Sequence, residues 1–158
     1  MGQMGAHTAQ AAAQQVIRHR GTRRKETLWK GKALEELVHA PADAARGVRK
    51  VAAMHVFRSL AREAGVAAGK LRGQLIPDST WKRAEEVLGP SASQTMARLA
   101  NALFVAERIW RNEGDAIRFL LRPHVELGKV SPYSLLNTES GGRAVENLLA
   151  ALEYGFPV

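Results

Sequence analysis

Ser131-Pro132-Tyr133-Ser134-Leu135-Leu136-Asn137-Thr138-Glu139-Ser140-Gly141-Gly142-Arg143 carries two helix starts in one short stretch. A proline is tolerated at a first helical position, where its missing N–H would be unpaired anyway, so Pro132 opens a short helix that Ser131 caps. Thr138 caps a second and longer helix, with the Glu139 charge near its positive end. Gly141 and Gly142 fall in the first turn of that helix, where few helical bonds are yet made. In a helix interior each would cost about 1 kcal/mol against alanine. Here they permit a close approach of backbone, either to the short helix before them or to a partner. Val145, Leu148, Leu149 and Leu152 then recur at i, i+3, i+4 and i+7, which gives the second helix one apolar side.

The same signals extend upstream. Asp115 is read as the cap of a helix burying Ile117, Leu120 and Leu121, closed by Pro123, and His124 to Val130 reads as a loop. Ser91 and Gln94 have capping-box spacing and open a long helix to about Arg111, with a buried stripe of Met96, Leu99, Leu103, Ala106 and Trp110. Before Gly89-Pro90 the pattern predicts three short helices. The first runs from about Val48 to a C-cap at Gly65, with Val51, Met54, Val56, Phe57, Leu60 and Ala61 near helical spacing. The second lies around Lys70–Leu75, and the third, capped by Asp78 or Ser79 after Pro77, runs from Ser79 to about Leu88. The turn between the second and third sits where a helix-turn-helix needs one. No stretch reads as a strand. The expected fold is all-α: a helix-turn-helix-like domain over residues 50–111, ending in a long connecting helix, then a small helical domain over 112–158. Residues 1–49 read as a basic segment that is mostly disordered, with one short helix at Leu28–Val38 stopped by Pro41.

Bulk chemistry narrows the function. The 158 residues include 46% apolar side chains, enough for a core, and no cysteine, which fits a reducing compartment. No apolar run reaches the roughly 18 residues of a membrane span, and the start of the chain lacks the apolar region of a secretory signal. The formal charge of +8 is uneven: residues 1–50 hold ten Lys/Arg against four Asp/Glu, whereas residues 101–158 hold six against seven. A basic section joined to a neutral, leucine-rich one suggests a polyanion partner for the first and a protein partner for the second. The basic stretch Arg18-His19-Arg20-Gly21-Thr22-Arg23-Arg24-Lys25 either adds phosphate contacts or is a solvated arm.

Catalysis finds no support. His7, His19, His39, His55 and His124 show no metal spacing, and neither a nucleophile elbow nor a phosphate-binding loop is present. Glu85 and Glu86, being adjacent, point to different sides of a helix. The chain therefore reads as a non-enzyme without metal or cofactor.

From Asp115-Ala116-Ile117-Arg118-Phe119-Leu120 through Pro123, Leu127-Gly128, the stretch 131–143, Val145-Glu146-Asn147-Leu148-Leu149 and Glu153-Tyr154-Gly155, the order and spacing of residues resemble the toxin-binding domain of Xre/MbcA/ParS-type antitoxins. Residues 55–89 resemble the helix-turn-helix that precedes it in that family, through Leu60-Ala61-Arg62-Glu63-Ala64-Gly65 and Ile76-Pro77-Asp78-Ser79-Thr80-Trp81-Lys82-Arg83. The resemblance implies a cytoplasmic antitoxin of a type II toxin–antitoxin pair. Its partner would be a RES-domain toxin that acts on NAD, held inactive by covering its active-site entrance, with the pair repressing its own operon as a homodimer inside a hetero-oligomeric complex. The other reading is a stand-alone helix-turn-helix regulator with a C-terminal dimerisation or ligand-sensing domain.

Two residue sets follow. For operator DNA they are Ser79, Thr80, Lys82 and Arg83 at the start of the third helix, with Lys70, Arg72 and Gln74 on the second to hold the phosphate backbone. Trp81 between them is read as core. For the toxin they are Tyr133, Arg143 and the apolar tail Tyr154, Gly155, Phe156, Pro157 and Val158, because aromatic anchors dominate interface energetics.

Overall fold

The computed structural model describes residues 47–155. Residues 1–46 of the expected basic segment 1–49, with its short helix, and Phe156, Pro157 and Val158 lie outside the described residues. Within them the chain is all-helical: α1 Lys50–Ala64, α2 Ala68–Leu75, α3 Asp78–Arg83, α4 Pro90–Trp110, α5 Glu113–Leu121, a 3-10 turn Val125–Leu127, α6 Pro132–Leu135 and α7 Glu139–Glu153.

The long α4 organises the rest. Its buried side carries Met96, Leu99, Leu103 and Ala106, as the periodicity predicts, while Trp110 is half-buried and stacks on Phe119 of α5 at 4.3 Å between ring centroids. α5 folds back on α4, α7 lies on it, and α1 packs against both α2 and α5. One cluster of buried apolar residues runs from Val56, Phe57 and Leu60 of α1 through α4 to Leu120, Tyr133, Val145 and Leu149. α4 and α7 run parallel, since Asn101 bonds Glu146 and, seven residues further along both helices, Arg108 bonds Glu153.

Several helix ends differ from the sequence reading, each for a local reason. Gly65 does close α1 in the left-handed conformation, φ 66°, and Ser131 and Thr138 do cap α6 and α7 through Ser134 N and Gly141 N. The Ser91 capping box does not form: α4 starts at Pro90, and buried Ser93 instead accepts from Val48 N and donates to Leu88 O, both at 2.9 Å. Asn112, not Asp115, caps α5, with its side chain accepting from Asp115 N at 3.0 Å. Neither Asp78 nor Ser79 caps α3, whose N-cap is Pro77. Val51, expected on the buried side of α1, is 69% exposed.

The largest difference concerns α3, which stops at Arg83 rather than about Leu88. Residues 84–88 bend at 85 and 86 and pass beside residues 48–50, with one bridge between Arg49 and Val87: Lys50 N donates to Glu86 O and Leu88 N to Val48 O, both at 2.8 Å, and Lys50 Nζ donates to Ala84 O at 2.7 Å. The segment exchanges helical bonds for bonds to a distant stretch, a competition invisible to local propensity. Glu85 and Glu86 therefore lie outside any helix, both exposed.

Candidate partner-binding site

The stretch 131–143 forms a tight corner between α6 and α7. Pro132, Tyr133 and Leu136 are buried beneath it. The Leu136 carbonyl accepts from Arg98 Nε of α4 at 2.8 Å, and Arg98 also donates to Thr95 Oγ1 at 2.9 Å. This explains the glycine pair. A Cβ at Gly141 would stand 2.1 Å from the Leu135 carbonyl oxygen, and one at Gly142 would stand 2.6 Å from Arg98 Cδ. The close approach is internal, to the short helix and to α4, so of the two uses open in the sequence the structure displays the first.

Tyr133, expected on the surface offered to a partner, is fully buried, and its hydroxyl donates to Leu71 O of α2 at 2.7 Å. Burial pushes its phenol well above the ordinary value, so the hydroxyl stays a protonated donor. The ring fills the joint between α6 and α2 and is core rather than a free contact. That burial needs a partner 62 residues away and had no local signal.

Other candidates are accessible. Arg143 is 75% exposed and pairs with Glu139 one turn earlier at 2.6 Å, a solvated pair that contributes little to stability. Tyr154, just past the last turn of α7, is 74% exposed, and Gly155 follows it at φ 70°. A left-handed glycine lets the chain leave the helix axis there.

In the basic half, Lys70 and Gln74 on α2 and Ser79, Lys82 and Arg83 on α3 are exposed, and Thr80 is half-buried. Arg72 is engaged internally: it bonds the Asp78 carboxylate, donates to Ile76 O at 3.4 Å and lies 5.2 Å from the centre of the Trp81 ring. It staples the turn between α2 and α3 and is not a free cation. The same guanidinium holds the Asp78 carboxyl below the usual carboxylate range. Trp81 is half-buried at the core's edge, edge-on to Phe57 at 6.2 Å, with Lys50 Nζ 5.2 Å from its ring.

Two residues of this surface escaped the sequence reading. Arg98 had no local signal, because the carbonyl that it holds is 38 residues away. Phe104 had one: it falls off the Met96–Leu99–Leu103–Ala106 stripe, and it is 46% exposed. Among the described residues no group of three or more His, Asp or Glu could hold a metal, and no helix is long and apolar enough to cross a membrane.

Residues 105–155 match the family described as the antitoxin Xre/MbcA/ParS C-terminal toxin-binding domain. Two curated relatives agree. The chain is 29% identical over 97 residues to Antitoxin Xre of Pseudomonas putida, covering 60% of this chain and 61% of that protein. It is 38% identical over 64 residues to Antitoxin Xre of Photorhabdus laumondii, covering 40% of this chain and 43% of that one. The chain thus matches less than two thirds of the length of these relatives.

Proposed function

We propose that this chain, which carries the C-terminal domain of Xre/MbcA/ParS-type antitoxins, is the antitoxin of a type II toxin–antitoxin pair. The single observation behind this reading is the match of residues 105–155 to a domain described as toxin-binding. In this reading the partner is a RES-domain toxin that acts on NAD, and the antitoxin works in the cytoplasm as a binding protein without catalysis. Residues 112–158 cover the toxin's active-site entrance, with Arg143, Tyr154, Gly155, Phe156, Pro157 and Val158 as the contact set. Exposure of Arg143 and Tyr154 supports their place in it; Tyr133 acts beneath the surface by fixing α6 on α2.

Residues 50–111 bind operator DNA in the same reading. Lys70 and Gln74 of α2 hold phosphates, and Ser79, Thr80, Lys82 and Arg83 of α3 approach the bases, while Arg72 keeps the turn between them in shape. One such unit makes few contacts, so a homodimer reading two half-sites about one helical turn apart is the DNA-binding species, within a hetero-oligomeric complex with the toxin.

The test is co-expression with the product of the adjacent reading frame, which this reading expects to be the toxin. Deleting residues 154–158 should release toxin activity while DNA binding persists. A truncated chain that still neutralises the toxin fully removes the tail from the contact set. For the DNA half, a gel shift on the upstream sequence should lose its complex with the double variant Lys82→Ala/Arg83→Ala, and an undiminished shift would remove α3 from the operator contact.

A further inference from the structure

We propose that Phe104 and Arg108 of α4 extend the toxin-contacting surface from Tyr154, beyond α7, onto α4. This inference rests on the antitoxin reading above and adds Phe104 and Arg108 to its contact set.

Phe104 is an apolar residue that the fold leaves half in water. Ala97, Asn101, Phe104 and Arg108 follow each other on the exposed side of α4, opposite the Leu99–Leu103–Ala106 core stripe. A phenylalanine there leaves 46% of its surface in water. Its own core neither needs nor covers that surface, so the area is still available to be buried against a partner.

The surroundings of Phe104 are organised. The Arg108 guanidinium lies 5.9 Å from the centre of the Phe104 ring and 2.7 Å from the Glu153 carboxylate on α7. Tyr154 directly follows Glu153 in the chain and is 74% exposed. One exposed aromatic ring thus lies against the arginine of an ion pair that neutralises itself, and a second exposed aromatic residue follows the acid of that pair in sequence. Two turns back, the Asn101–Glu146 bond at 3.2 Å ties the same two helices together. The patch is aromatic, contains an arginine and carries no uncompensated charge at its centre, the composition that dominates interface hot spots.

The occupant is the toxin, because the patch is continuous with the toxin-binding domain. Arg108, Glu153 and Tyr154 lie inside the matched residues 105–155, and Phe104 is the residue immediately before them. A second copy of this chain is the competing occupant, and the experiment separates the two.

The purified full chain and the product of the adjacent reading frame, the toxin of the antitoxin reading, are titrated by calorimetry, with Phe104→Ala, Phe104→Glu and Tyr154→Ala in parallel. Melting curves check that each variant folds, which side chains this exposed should permit. Phe104→Ala is expected to weaken toxin binding about 30-fold, and Phe104→Glu further, with mass by light scattering unchanged. The double variant Phe104→Ala/Tyr154→Ala should lose less than the product of the single losses, since the two rings share one patch. If the unaltered chain binds and Phe104→Ala binds within threefold of it, the inference fails while the antitoxin reading stands. A Phe104→Ala chain that keeps its toxin affinity but loses mass would assign the patch to self-association and equally overturn it. If the unaltered chain does not bind the toxin, the antitoxin reading fails and takes the inference with it.

Discussion

Two corners of this molecule join helices by tight turns, and they are built in opposite ways. At 131–143 the local signals coincide with the tertiary demand. Ser131 and Thr138 cap, Pro132 starts a helix, and Gly141 makes room for the Leu135 carbonyl. At 75–88 hardly any local signal decides the outcome. Neither α2 nor α3 has a side-chain cap, α3 buries no residue, and its end is set by residues 48–50 and the buried Ser93 hydroxyl. The first corner is specified by its own residues, the second by the surface on which it is pinned. The glycines of the two regions show the same contrast, Gly141 being enclosed and Gly73 having nothing within 4 Å of where a Cβ would stand.

The largest expected effect breaks the first corner. Gly141→Ala sets a Cβ against the backbone oxygen of Leu135, and on the order of 3 kcal/mol should be lost. The melting temperature then falls by about 10 °C. A variant melting with the parent would mean that the corner relaxes freely and is not specified by the glycine. Next, Ser93→Ala removes both bonds of a buried hydroxyl and leaves Val48 N and Leu88 O without that partner, with the direct Leu88 N–Val48 O bond still joining the two segments there. A loss of about 2 kcal/mol in urea unfolding is expected. A shift below roughly 0.5 kcal/mol would show that something other than Ser93 pins residues 84–88.

Gly73→Ala sharpens the contrast by its sign. Its helical position is open, so alanine should stabilise by about 0.5–1 kcal/mol. A loss of stability there would mean that α2 needs its glycine as the α6–α7 corner does. The smallest effect concerns the Arg72–Asp78 staple. The folded pKa of Asp78 is depressed, so the contribution of this staple is present above the unfolded carboxylate value of about 3.9 and is lost as pH falls through the folded one. Asp78→Asn should lower the melting temperature slightly at neutral pH and converge with the parent at strongly acidic pH. A constant difference across that range would show that the carboxylate charge is not what the staple uses.

What could be read from the sequence follows the same division. The all-α class, the buried stripe of α4, the apolar side of α7, the Gly65 C-cap and the caps at Ser131 and Thr138 were legible, because each depends on residues within about one turn of one another. The end of α3, the cap of α4 and the burial of Tyr133 were not, because backbone partners far along the chain decide them. Within the candidate site, Arg143 and Tyr154 are exposed as read, whereas Arg72 and Tyr133 had the right chemistry and a different use. Phe104 was legible by its absence from the buried stripe of its helix, a signal easily passed over when apolar residues are sought only for the core.

The proposal that residues 112–158 silence a toxin acting on NAD is tested most directly by mixing the purified chain with the purified product of the adjacent reading frame and following NAD with time. That product alone should consume NAD, and NAD should be spared when the chain is present in excess. NAD loss at the same rate with and without excess chain would contradict it.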